Sequence, residues 1–220
     1  MKVFIGVGHG GSDPGAVANG VKEKDLNLSI AKACRDELKR HGVEVMLSRA
    51  KDEDDTLSEE IKECNAFSPD LAVDIHNNAG GGDGAEVFYS HLGGKGKILA
   101  ENILSEILKV GQNSRGAKIR KNSQGKDYYG FIRETSCPAV IVECAFVDNA
   151  TDLKILATEG DRQKVGQAVG YGILKTLGIE IQSEASIIYR VQVGAYSVKA
   201  NAEAMQKKLK EAGFNAYITK

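Results

Sequence analysis

Apolar residues along this chain fall into short compact runs and longer stretches of helical spacing, and the two kinds alternate over most of its length. Val3 to Val7 is a compact run ended by glycines, as expected of a buried strand. Asp25 to Arg40 then spaces Leu26, Ile30, Ala33, Cys34 and Leu38 as one apolar stripe of a helix. Gly42 supplies its left-handed C-cap, and His41 lies in the last turn, where the helix dipole favours positive charge. Val43 to Leu47 predicts a second strand. Thr56 to Ala66 predicts a helix entered through the acidic run Asp52 to Asp55, which suits a helix N-terminus. Leu71 to Ile75 and Ala85 to Tyr89 read as strands, Lys95 to Val110 as an amphipathic helix, and Gly111 to Asp127 as a polar loop with room for a short strand. Ala139 to Val142 is a β-branched core strand and Arg162 to Leu177 a closing helix. This alternation predicts an α/β fold: an open, largely parallel or mixed sheet of about six strands with helices on both faces.

Gly178 to Ser186 breaks the pattern. Residues 1–178 therefore read as one domain, 179–186 as a linker and 187–220 as a small module of strand IIYRVQVGAY, helix VKANAEAMQKKLKEAG and strand FNAYITK. Such a βαβ unit cannot cover both faces of a sheet by itself. It is expected to pair with the same half of a second chain, forming a homodimer, or to pack on the larger domain.

Charge narrows the range of partners. With 29 basic and 30 acidic residues and a net charge of -1, no bulk field favours nucleic acid or an anionic membrane. The apolar run at the N-terminus is too short for a secretory signal, and no later stretch is long enough to insert in a membrane. The expectation is synthesis in the cytoplasm without a signal peptide, so that an extracytoplasmic substrate is reached through a pore or after lysis. Cys34, Cys64, Cys137 and Cys144 form no C-x-x-C pair and read as reduced, mostly buried residues.

The first strand ends in Gly6-Val7-Gly8-His9-Gly10-Gly11, which formally matches the dinucleotide-binding fingerprint. A Rossmann turn opens directly into a helix, whereas Ser12-Asp13-Pro14-Gly15 intervenes here and the second strand ends at Ser48-Arg49 without a ribose-binding acid. The glycines instead turn the chain at the carboxyl edge of the sheet and display His9. His76 stands at the end of another strand, in LAVDIHNN. Two strand-end histidines at one sheet edge can converge, and a hydrolytic zinc site commonly uses two histidines and a carboxylate with one position open to water. Glu23 is the candidate third ligand, although a helix N-terminus also favours a carboxylate without any metal. Glu143 sits within the apolar run AVIVECAF, where burial raises a carboxyl pKa unless a cation or donors compensate. Beside a metal it could act as general base; otherwise it is one member of a satisfied core ion pair.

The segments VGHGGSDPGAVANGVKEKDLNL, LSRAKDEDDTLSEEIKECNA, VDIHNNAG and FIRETSCPAVIVECAFVDN, in this order, resemble the zinc-dependent N-acetylmuramoyl-L-alanine amidases of bacteria and phages, often called amidase type 3. The resemblance covers about residues 1 to 178. It implies Zn2+ on His9, Glu23 and His76, Glu143 as the catalytic glutamate, and cleavage of the amide between N-acetylmuramic acid and L-alanine in peptidoglycan. Glu60 stands where the family usually has arginine, Cys64 replaces an alanine, Asp74 replaces a serine, and Asn77 follows the ligand. Asp74 could support a ligand if its side chain faces the site. The C-terminal piece resembles half of a SPOR domain, a module associated with glycan strands. The protein is thus expected to be an endolysin or an autolysin. A zinc peptidase acting on the stem peptide, or a wall-binding protein without catalysis, is the alternative.

Overall fold

A computed structural model describes residues 1–182 and 192–219. It divides into two compact units, Met1–Ile181 and Gln182–Lys220. The larger unit runs β1 (Lys2–Val7), a hairpin of β2 (Val17–Ala18) and β3 (Val21–Lys22), α1 (Glu23–Arg40), β4 (Glu44–Leu47), α2 (Leu57–Phe67), β5 (Leu71–Asn78), β6 (Ala85–Tyr89), α3 (Gly94–Lys109), β7 (Ser114–Lys118), α4 (Gly130–Glu134), β8 (Ala139–Phe146), a 3-10 turn (Asp152–Leu156) and α5 (Glu159–Leu177).

Six strands form one sheet in the order β4-β1-β5-β8-β6-β7. Every neighbouring pair is parallel except β6 with β8, so the sheet is mixed. Successive side chains on a strand point to opposite faces, and here the faces differ. Val3, Ile5, Val7, Val73, Ile75, Val87, Val140 and Val142 pack in one core with apolar residues of α1, α3 and α5. Phe4, Ala72, Phe88 and Ile141 form a smaller core with Ile61 and Cys64 of α2 and Phe131 and Ile132 of α4. The expected α/β sheet covered by helices on both sides is what folds.

Helix ends follow their capping chemistry. α2 begins at a capping box in which Thr56 and Glu59 satisfy each other's backbone amides. Thr158 and Asp161 do the same for α5, which therefore starts three residues earlier than the apolar spacing from Arg162 suggested. α1 and α5 cross closely because Gly166 lacks a side chain: a Cβ there would lie 2.4 Å from the Ile30 carbonyl oxygen.

Three features were not expected from the sequence. The hairpin β2–β3 bridges the glycine-rich turn and α1, so that Glu23 opens the helix. β5 continues to Asn78 and β8 to Phe146, which places His76 and Glu143 inside paired strands rather than beyond them. α4 is a single helical turn that closes part of the second face.

In the smaller unit α6 (Lys199–Glu211) is the one regular element among the described residues. Residues 192–196 and 214–219, expected to be strands, carry no strand there, because a strand is defined by pairing with a neighbour. The remainder of the first expected strand, residues 187–191, lies outside the described residues. Val193, Tyr196, Val198, Phe214, Tyr217 and Ile218 are exposed.

Candidate metal centre

At the end of β1 the Gly8 amide donates to the Ile75 carbonyl at 3.1 Å, extending the ladder one step beyond Val7. Gly8 therefore lies beside His76, and a Cβ on Gly8 would stand 2.2 Å from the His76 ring. His76 is in register with Glu143, and Glu143 with Glu86 on its other side. Gly8, His76, Glu143 and Glu86 thus form one row across four strands, all on the face opposite the larger core. The next residue, His9, adopts a left-handed backbone with φ 62°, a conformation that costs a non-glycine residue energy and is typical of functional turns.

Glu23 completes the cluster from the first turn of α1. Its Oε2 lies 3.2 Å from His9 Nε2 and its Oε1 3.0 Å from His76 Nδ1. The amides of Ala16 and Asn77 donate to the same carboxylate at 2.9 and 3.1 Å, and Asn27 Nδ2 at 3.3 Å. One potential ligand atom from each of His9, Glu23 and His76 lies within 4.8 Å of the others. The far ring nitrogens face carboxylates as well, His9 Nδ1 2.7 Å from Asp13 and His76 Nε2 3.1 Å from Asp74. This carboxylate–histidine arrangement orients imidazoles that bind metals.

Electrostatics point the same way. Burial alone would raise the Glu23 pKa, but His76 and His9 hold it well below the usual carboxylate range. Glu23 raises the His9 pKa against the opposing effect of burial. Burial opposes charge on His76, yet Asp74 and Glu23 raise its pKa well above the ordinary value. The cluster is built to hold positive charge. Two imidazole nitrogens and a carboxylate match the donor set of catalytic zinc sites, so these residues fit that ion.

Glu143 stands apart from the bonded set. Burial raises its carboxyl pKa to about 7, and its Oε2 is buried without a hydrogen-bond partner. No satisfied core ion pair accounts for it. An unpartnered buried carboxylate oxygen is costly and marks a position suited to a proton or a reacting group.

Some supporting residues carried little signal in the sequence, and others stood out only as departures from the family pattern. The buried Arg49 donates to the carbonyls of Val7, Gly8 and Lys24 at 3.1, 3.3 and 2.8 Å, tying the His9 turn to α1. Asp13, four residues after His9, offered only that spacing. Asp74 faces the site, as its support of His76 requires. Behind it Glu60 is buried, its pKa raised by burial and by Asp74, and one oxygen of each acid lacks a partner. Both oxygens point at Gly6, where a Cβ would meet them at 1.9 and 2.8 Å.

Other titratable residues form pairs of their own. His91 Nδ1 lies 2.8 Å from Asp127, and His41 caps α1 with its Nδ1 2.9 Å from the Glu37 carbonyl. Arg133 and Glu134 pair with each other at 2.6 Å. All four cysteines are free thiols, and burial pushes the pKa of Cys34 and Cys144 up, which leaves them unreactive.

An open mixed α/β sheet that gathers two histidines and a glutamate beside a buried acid has the make-up of a hydrolase with a metal centre. The family is specific: the chain belongs to the N-acetylmuramoyl-L-alanine amidases, whose family model matches residues 3–175, with a SPOR-domain model matching 185–220. N-acetylmuramoyl-L-alanine amidase CwlM of Bacillus licheniformis is 34% identical over 99% of this chain and 84% of the relative. The sporulation-specific N-acetylmuramoyl-L-alanine amidase of Bacillus subtilis is 33% identical with the same coverage. The endolysin of Bacillus phage SPP1 is 35% identical over 84% of this chain and 69% of its own. Among solved structures, Cwp6 from Clostridium difficile superposes with a TM-score of 0.79 at 37% identity, covering 80% of this chain and 29% of that one.

Proposed function

We propose that the chain hydrolyses the amide between the lactyl group of N-acetylmuramic acid and L-alanine of the peptidoglycan stem peptide, with a zinc ion held by His9, Glu23 and His76 and with Glu143 carrying the proton. The observation behind this reading is that ligand atoms of His9, Glu23 and His76 lie within 4.8 Å of one another, with Glu143 in register with His76 on the next strand and its Oε2 unpartnered. Bound there, zinc supplies Lewis-acid polarisation of the carbonyl and acidification of water. The chain's residues do the rest. Asp13 and Asp74 hold the two imidazoles in orientation, and the Ala16 and Asn77 amides keep Glu23 ionised and aimed. Glu143 takes a proton from the attacking water at Oε2 and returns it to the departing alanine nitrogen.

Residues 1–178 serve as the catalytic domain, and 187–220, joined through 179–186, as a SPOR-like module that holds glycan. Two such halves pair between chains, which the exposed Val193, Tyr196, Phe214 and Tyr217 support. Sedimentation of the full chain should show a dimer and a chain ending at Gly178 a monomer; equal monomer masses would sink the pairing. No helix among the described residues is long and apolar enough to cross a membrane. The enzyme reaches the wall through a pore or after lysis, and the likeness to an endolysin supports that route.

Mass spectrometry of digested muropeptides is the deciding measurement. Free lactyl-muramic glycan with intact stem peptides is expected. Shortened stems would make the protein a zinc peptidase, and unchanged muropeptides a wall-binding protein. Chelation with EDTA should stop the reaction and added zinc restore it.

A further inference from the structure

The row of residues that carries His76 and Glu143 does not end at the reacting acid. It continues through Glu86 on β6 to Gly116 on the edge strand β7. There the register slips: Ala85 faces Ser114 but Glu86 faces Gly116, so Arg115 is an extra residue, as in a β-bulge. Bulges re-aim side chains, and this one brings Arg115 Nε to 2.9 Å from Glu86 Oε2. Lys118, paired with Phe88 and so on the same face as Glu86, bonds the same oxygen. The other oxygen of Glu86 accepts from Asn78 Nδ2 at 2.9 Å.

Two cations thus share one carboxylate, which leaves a positive charge uncompensated. The nearby acid, Asp83, receives Asn113 Nδ2 on its side chain and offers Arg115 its backbone carbonyl alone. Both cationic side chains keep over a third of their surface open, at 36% and 37%. Between them Gly116 has φ 93°, and a Cβ there would meet nothing within 4 Å, so the row ends in open space rather than packing. An ion pair serving only to staple β6 to β7 would need one cation, not two.

Distance sets what can reach it. Glu86 is one strand, about 4.8 Å, from Glu143. A peptide leaving the reacting amide covers about 3.5 Å per residue. A stem peptide that runs from the reacting amide along this row places the residue after the cleaved alanine over Arg115 and Lys118. We infer that Arg115 and Lys118 form a carboxylate-binding subsite that favours stem peptides whose second residue carries a free carboxylate over those in which it is a carboxamide. The inference rests on the amidase reading above.

The test uses the zinc-loaded full chain on two forms of one purified peptidoglycan, with a free carboxylate or a carboxamide at the second stem residue, and measures newly exposed alanine amino groups at limiting substrate. The carboxylate form should be cleaved about tenfold faster, the size expected of one charge-assisted contact. Substitution Lys118→Gln together with Arg115→Gln should bring the two rates together, whereas Lys118→Arg should keep the preference. Equal rates for the native chain would overturn the subsite, as would a preference that survives the double substitution. Release from neither form would overturn the amidase reading itself, and the subsite with it.

Discussion

On β5, Val73 and Ile75 point into the layer of α1, α3 and α5 and are fully buried in the larger core. Asp74 and His76, on the same strand, point the other way and join carboxylates and imidazoles in a polar row. β8 repeats the division, with Val140 and Val142 on the first face and Glu143 on the second. The first face gains stability chiefly by excluding water from apolar surface. The second face holds three buried oxygens without partners among the described residues, one each on Glu60, Asp74 and Glu143. Such atoms cost stability, and the proposed metal and proton chemistry gives a reason for them. The stable face lets the same strands carry the costly one.

The largest effect should come from the site face. Glu143→Ala is expected to lower turnover by about 10²–10⁴-fold while zinc content, measured by atomic emission, stays at one ion per chain; loss of the ion would recast Glu143 as a ligand. One residue away across the sheet the outcome should reverse. Ile75→Ala should cost about 2–5 kcal/mol in urea unfolding yet leave zinc affinity of the folded chain within a few-fold, and a large loss of affinity would erase the division between the faces.

Glu143 also links the faces to pH. Its folded pKa, about 7, lies above the ordinary glutamate value of 4.5, so the folded metal-free chain binds the extra proton and loses stability as pH rises between those values. Glu143→Gln should therefore stabilise the metal-free chain at pH 8 by up to about 3 kcal/mol and by little at pH 4; an equal gain at both would show that burial of the charge is not the cause. The smallest effect belongs to the supporting carboxylate. Asp74→Asn should weaken zinc binding about 10–100-fold, read by competition with a chelator, with unfolding in the metal-free state little changed.

The core was largely legible in the sequence because its signal is local. Apolar runs such as Val3 to Val7 and Ala139 to Val142, and the spacing of Leu26, Ile30, Cys34 and Leu38, declare which face of each element is dry without reference to any partner. The candidate site was legible in part. His9 and His76 stood out beside glycine and asparagine at strand ends, and Glu143 as a charge in an apolar run. Glu23 was separable from an ordinary helix-start carboxylate only through the family resemblance. Arg49 and Glu86 were not legible, because each matters through a contact made across the fold, and Asp13 offered only its spacing from His9.

By itself the sequence determined which residues are dry, where the chain turns and which side chains have metal or proton chemistry, since these depend on side-chain type and on neighbours a few positions away. Tertiary structure alone decided that Gly8, His76, Glu143 and Glu86 share one row, that Glu23 reaches both histidines, and that Arg115 turns toward the same face. Strand order and register bring together residues separated by tens of positions along the chain. A shift of one residue would send His76 into the dry core, and that choice is made only when the strands pair.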